Sequence, residues 1–509
     1  MKKKIYAALV VVGLAATYGC KDFLDVNTNP NGPEKVSPNL YLASMESNLA
    51  LGVQFDARYM GKYVQNFVAA GASDVWDQQG YIPANDAGGQ LWRNVYWKLG
   101  YNAEDMINLS LSQQRWDLAG IGYVLKAWGW QNLTDMHGEI IIKEAYMPNK
   151  STFNYDSQEF AYSEVKRLCD SAALLFSRTD GVVNTAYTAK GDIMYKGDKT
   201  KWVKFMNGLL AMNAHHLSNK ASYSANKVIE YVDKALASNG DDAMMPFAAT
   251  VSDDANFFGP MRNNIGTFIQ SEFAVNSMNG TVFGGVVDPR LPLLLVKADD
   301  GQYHGLKPTA GNKSVPADQV PYTLWGTKTL TAGQKGKFLF DNAVGFPLMT
   351  YAQLQFIKAE AALEKGDNIM ALDAYKKGIS AHFDFVNKFF GTADQITTDA
   401  KAAYMANANI VPNDANTLTL KQIMMQKYIA QFGWGFIEQW CDMRRHHYDS
   451  TIFTGFSAPS TLYPDNGGKL VYRLRPRYNS EYVWNIEALK SIGATNADYH
   501  TKEMWFTQP

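Results

Sequence analysis

Apolar residues recur at helical spacing over most of this chain. Between positions 37 and 67 they fall at Leu40, Met45, Leu49, Val53, Tyr59, Tyr63 and Phe67, which predicts one long helix. The same periodicity predicts helices over 91–109, 116–133, 158–176, 199–217 and 225–237, and a long one over 420–439. Two stretches break the pattern. Residues 71–89 are polar and glycine-bearing, with Trp76, Tyr81 and Pro83 among them. Residues 241–345 are punctuated by Pro246, Pro260, Pro289, Pro292, Pro308, Pro316 and Pro321 and by several glycines, which rules out long helices there. Within it, 293–296 reads as a short strand or buried turn. A third turn-rich segment, 463–482, carries Arg473, Arg475 and Arg477 at a spacing of two.

The most regular stretch is 347–379. Two apolar helical patterns flank Lys365-Gly366-Asp367, as in an αα-hairpin. Small or aromatic residues at Ala359, Ala362, Gly366, Ala371, Tyr375 and Gly378 fit the tetratricopeptide ladder, in which small residues sit where helices cross. Roughly three further, degenerate hairpins accompany it, since one hairpin cannot bury its own face. The fold class predicted is therefore mostly all-α: a tetratricopeptide-like helical-hairpin scaffold with a large irregular elaboration at about 241–346. A long irregular segment inside a helical protein points to ligand binding rather than architecture.

At the N-terminus, Lys2, Lys3 and Lys4 precede an apolar run from Ile5 to Ala16 and then Thr17-Tyr18-Gly19-Cys20. This predicts a lipoprotein signal over 1–19 with Cys20 as the lipidated residue, a tether over 20–36 and one domain over 37–509. The alternative is an ordinary cleavage site with an incidental cysteine. No later run of about 20 apolar residues offers a spanning helix. Lys and Arg number 48 against 49 Asp and Glu, so the chain has no electrostatic footprint for nucleic acid. Cys20, Cys169 and Cys441 cannot build a disulfide framework.

Catalytic signatures are missing: the sequence holds no G-x-S-x-G, H-E-x-x-H or P-loop. His215-His216 and His446-His447 are neighbours that point apart on a helix, so neither forms a ligand pair. Asp241-Asp242, Asp253-Asp254 and Asp299-Asp300 are adjacent loop carboxylates, unlike the separated pair a glycosidase needs. They read as solvated turns, with a structural calcium as the alternative; no cofactor or metal is predicted. Of the tryptophans, Trp92, Trp97, Trp128, Trp130, Trp202 and Trp440 fall in helical patterns and read mostly as core. Trp76 and Trp325 lie in polar, glycine-bearing stretches, where an aromatic platform beside polar side chains suits a sugar face. The candidate ligand-binding residues are Trp76, Asp77, Gln79, Tyr81 and Trp325, with the 76–81 loop as one wall and the 241–345 insert as the other.

Several segments in order resemble the SusD/RagB family of surface lipoproteins, in its branch with an Asn-Thr-Asn-Pro-Asn element. They are Cys20 with Asp22-Phe23-Leu24-Asp25 and Asn27-Thr28-Asn29-Pro30-Asn31, then Leu125-Lys126-Ala127 through Gly138-Glu139. Ile142 there replaces an expected proline, and Glu139 an aspartate. Asp192, Tyr195, Gly197-Asp198, Trp202, Phe205 and Asn207 follow, then Asp288-Pro289-Arg290, residues 347–361, and Gln426-Lys427-Tyr428 with Trp440, Asp442, Arg444 and Arg445. The resemblance implies four tetratricopeptide-like units carrying an irregular ligand-binding half. It also implies a lipid-anchored outer-membrane location and a TonB-dependent, SusC-like transporter as partner. Asp442 and Arg445 are implied to be structural ion pairs. The function expected is non-catalytic oligosaccharide binding for uptake. Alternatives are peptide uptake, a surface glycan hydrolase and a purely structural helical adaptor.

Overall fold

The computed structural model describes residues 36–509 apart from 329 and 332; the expected signal, Cys20 and the 27–31 element lie outside the described residues. Helices dominate. The long ones are α1 (Leu40–Tyr63), α2 (Tyr101–Ser112), α3 (Trp116–His137), α4 (Gln158–Phe176), α5 (Lys199–His215), α6 (Ala225–Lys234), α7 (Tyr351–Glu364), α8 (Asn368–Asn387), α9 (Leu420–Ala430) and α10 (Phe436–Arg445). Helices α2 and α3, α3 and α4, α5 and α6, and α7 and α8 pack as sequential neighbours. This is the expected run of helical hairpins.

Local chemistry sets the starts and stops. The side chains of Ser157, Asp198, Thr350, Asp367 and Thr419 each accept a backbone N–H of the helix that follows, satisfying a donor the helix itself cannot. Between α7 and α8, Gly366 takes φ +83°, the left-handed conformation that ends a helix. Where the two helices cross, Gly378 lets the Phe356 ring come within 2.9 Å of the position a Cβ would occupy.

Two predicted helices end early. The 37–67 pattern stops at Tyr63; Gln65 turns at φ 51°, and Phe67–Ala69 becomes a short strand paired antiparallel with Phe268–Gln270. The 420–439 pattern splits into α9 and α10 at Gly433, whose φ is +83° and whose N–H donates to Asn66 Oδ1 at 2.9 Å. The 241–345 segment is irregular as expected, with short strands, single helical turns and one helix of about two turns, Glu272–Met278. One of those turns, Leu291–Leu294, stands where a strand or buried turn was expected.

Helices α5, α7, α9 and α10 meet in a buried ionic network. Lys427 lies 2.9 Å from Glu438 and 2.8 Å from Asp442, and Arg445 bridges Asp442 at 2.8 Å and Glu360 at 3.0 Å. His216 reaches Glu438 at 2.8 Å and His215 reaches Glu360 at 2.8 Å. The adjacent histidines thus serve two different carboxylates, and Asp442 and Arg445 are structural.

Candidate functional site

A cleft of about 360 Å³ opens where the loop after Phe67–Ala69 meets the 473–482 segment. Its walls are the 80–87 stretch on one side and Arg473, Arg475, Arg477, Tyr478 and Tyr482 on the other. The expected opposite wall, the 241–345 insert, does not line it. The alternate spacing of the three arginines is that of extended chain, which turns every second side chain to the same face.

Each arginine is held differently. Arg473 is buried, donates to the carbonyls of Lys502 and Glu503, and pairs with Glu139. Arg475 lies over the Tyr81 ring at 3.9 Å and donates to the carbonyls of Ala494 and Asn496 at 2.9 and 2.7 Å. Arg477 pairs with Asp86, whose carboxylate also accepts Asn479 N–H at 2.9 Å and Asn479 Nδ2 at 2.7 Å. Asp86 therefore ties the loop wall to the C-terminal wall.

Tyr81 is half-buried and donates its hydroxyl to Asp465 at 2.7 Å. Burial, and then that hydrogen bond, push its phenol up to about 12. His500 stands edge-on to Tyr81 at 5.0 Å; burial first, then Arg475, lower its imidazole to about 4, so it is neutral at neutral pH. Tyr478 stacks on Tyr482 at 5.7 Å with an interplanar angle of 17°. The cleft thus offers aromatic surface edged by guanidinium groups, and the carboxylates at its rim, Asp86 and Asp465, are held by Arg477 and Tyr81.

The other sequence candidates sit elsewhere or are turned inward. Trp76 forms the floor but is only 4% exposed, packed against Tyr59 at 4.3 Å and Tyr63 at 6.0 Å. Its ring is packing, not the open platform expected. Asp77 is buried, accepts the Ala69 N–H at 2.9 Å, and is pushed up to about 7 by burial. Gln79 sits at φ 57° and accepts the Val471 N–H at 3.0 Å, while its carbonyl accepts Asn466 Nδ2 at 3.1 Å. Both bolt the loop down from within the protein, and neither lines the cleft. Trp325 is 3% exposed and donates its indole N–H to the Phe258 carbonyl at 2.7 Å, away from the cleft. Of the five candidates, Tyr81 alone presents a half-exposed side chain there. Arg475, Arg477, Tyr478, Tyr482 and His500 were missed as site residues; the arginine spacing of two was the one signal of them.

Among curated proteins no sequence relative matches. In overall fold the chain is similar to a SusD/RagB family protein of Bacteroides thetaiotaomicron, at 22% identity and TM-score 0.72, covering 93% of this chain and 99% of that one. A SusD homolog from Bacteroides fragilis gives 17% identity and TM-score 0.71, covering 93% and 100%. A chitin-binding SusD homolog from Flavobacterium johnsoniae gives 20% and 0.70, covering 92% and 98%. The profile of one family, SusD-like, described as starch-binding and associating with the outer membrane, matches residues 30–474. The protein belongs to the SusD-like family.

Proposed function

We propose that this protein is a non-catalytic glycan-binding lipoprotein of the outer membrane that holds an oligosaccharide in the Tyr81–Arg475–Tyr478 cleft and passes it to a TonB-dependent transporter. The observation that carries this reading is the make-up of the cleft wall. Sugar rings present apolar C–H faces edged by hydroxyls, and the wall presents aromatic rings beside Arg475 and Arg477. The carboxylates at the rim, Asp86 and Asp465, are each engaged by a wall donor, unlike the free facing pair that glycoside hydrolysis uses. Family membership supports the transporter partner and the outer-membrane location. Attachment is assigned to a lipid on Cys20, which follows the apolar run from Ile5 to Ala16.

Calorimetric titration with maltooligosaccharides and chitooligosaccharides tests the binding role. Saturable binding that Tyr478→Ala weakens, with no reducing ends released, supports it. Binding of mixed peptides but of neither glycan series would favour peptide uptake. Gentle detergent extraction tests the partner: recovery of the monomer alone, with the transporter expressed, would count against delivery.

A further inference from the structure

A second cavity, of about 280 Å³, adjoins the first. It is lined by Trp92, Tyr96, Trp97, Phe153 and Ser480, and Arg477 lines both cavities. Trp97 is 61% exposed, although it stands in a helical stretch whose other tryptophan, Trp92, is buried. The backbone explains this. Residues Asn94–Gly100 form a π-helical turn between the single turn Gln90–Arg93 and α2, and such widened turns recur at functional sites. A large apolar ring held in solvent buries little and contributes little to the fold. Arg93 and Lys98 place their cations 4.7 and 5.3 Å from the ring centre, leaving donors beside it. On the facing wall, Ser480 Oγ is buried without a hydrogen-bond partner, which is costly unless a ligand group supplies one.

Resting on the glycan reading above, we infer that the cleft continues past the Asp86–Arg477 bridge into a second sugar subsite at Trp97. The ligand is then an oligomer long enough to lie over both cavities. The bridge is preformed, fixed by three donors on Asp86, so little ordering cost opposes the second contact. Occupying both subsites with one chain makes the second contact intramolecular, and affinity rises with chain length until both are filled.

The test is calorimetric titration of the full chain, Trp97→Ala and Trp97→Phe with maltooligosaccharides and chitooligosaccharides, from the disaccharide to the heptasaccharide, with thermal melting of each protein. Trp97→Ala is expected to leave affinity for the shortest bound oligomer unchanged. For the longest it should weaken binding about 5- to 150-fold, the range for loss of one aromatic stacking platform. Trp97→Phe should keep most of the length dependence, and all three proteins should melt together. Equal affinities of Trp97→Ala and the unaltered protein at every length would overturn the second subsite while leaving glycan binding intact. Equal weakening at every length would overturn it too, because Trp97 would then belong to a single site. Failure of the unaltered, folded protein to bind either series would instead overturn the glycan reading, and the subsite with it.

Discussion

Replacing Trp76 with Ala separates packing from recognition at the cleft floor. The ring is 4% exposed and lies on Tyr59 and Tyr63 of α1, so its removal deletes a buried aromatic and leaves a hole beneath the cleft. Buried Trp-to-Ala changes cost about 3–5 kcal/mol. Unfolding entropy of about 2.1 cal/mol/K per residue, over the roughly 470 described residues, amounts to ~1 kcal/mol/K, so the melting temperature should fall by about 3–5 °C. Affinity for short glycans should change little, since Tyr81, Arg475 and Tyr478 keep their places. Differential scanning calorimetry and titration on one preparation give both numbers. An unchanged melting temperature with binding weakened about 5- to 150-fold would refute the reasoning and show that the ring faces the ligand.

Burial holds the Asp77 carboxyl up to about 7, above its unfolded value near 3.8. The folded state therefore binds the extra proton between those values, and the stability this site contributes is present below about pH 4 and lost as pH rises through about 7. Asp77→Asn should gain melting temperature relative to the unaltered protein across that window; a constant difference at all pH values would contradict it. Lys427→Met leaves Glu438 and Asp442 buried without their cation and should destabilise by about 3–5 kcal/mol, read by denaturant unfolding. A loss below about 1 kcal/mol, the scale of exposed ion pairs, would mean water reaches the network. Cys20→Ala should release the protein from membranes in cell fractionation, because anchoring there depends on the acyl chains; retention like that of the unaltered protein would exclude the lipid anchor.

Periodicity and capping residues alone determined the helical class, the 347–379 hairpin with its glycine turn, and helix α4 from end to end. These are local properties: a Thr or Asp before an apolar repeat, and a Gly after it, act within one turn of chain. Tertiary contacts decided the rest. The pattern over 420–439 runs on in sequence, yet the chain turns at Gly433 because Asn66, far away in sequence, receives its N–H. Polar surroundings made Trp76 and Trp325 look exposed, but burial is set by what arrives from elsewhere: Tyr59 and Tyr63 for one, Phe258 for the other. Trp97 is the converse, a ring in a core-like pattern that a π-helical turn leaves in solvent. The same holds for the cleft. Tyr81 lies in a polar, glycine-bearing loop, but the guanidinium above it belongs to Arg475, and no spacing rule joins residues so far apart in the chain. Only the packing of the C-terminal segment against the first loop brings them to one cleft.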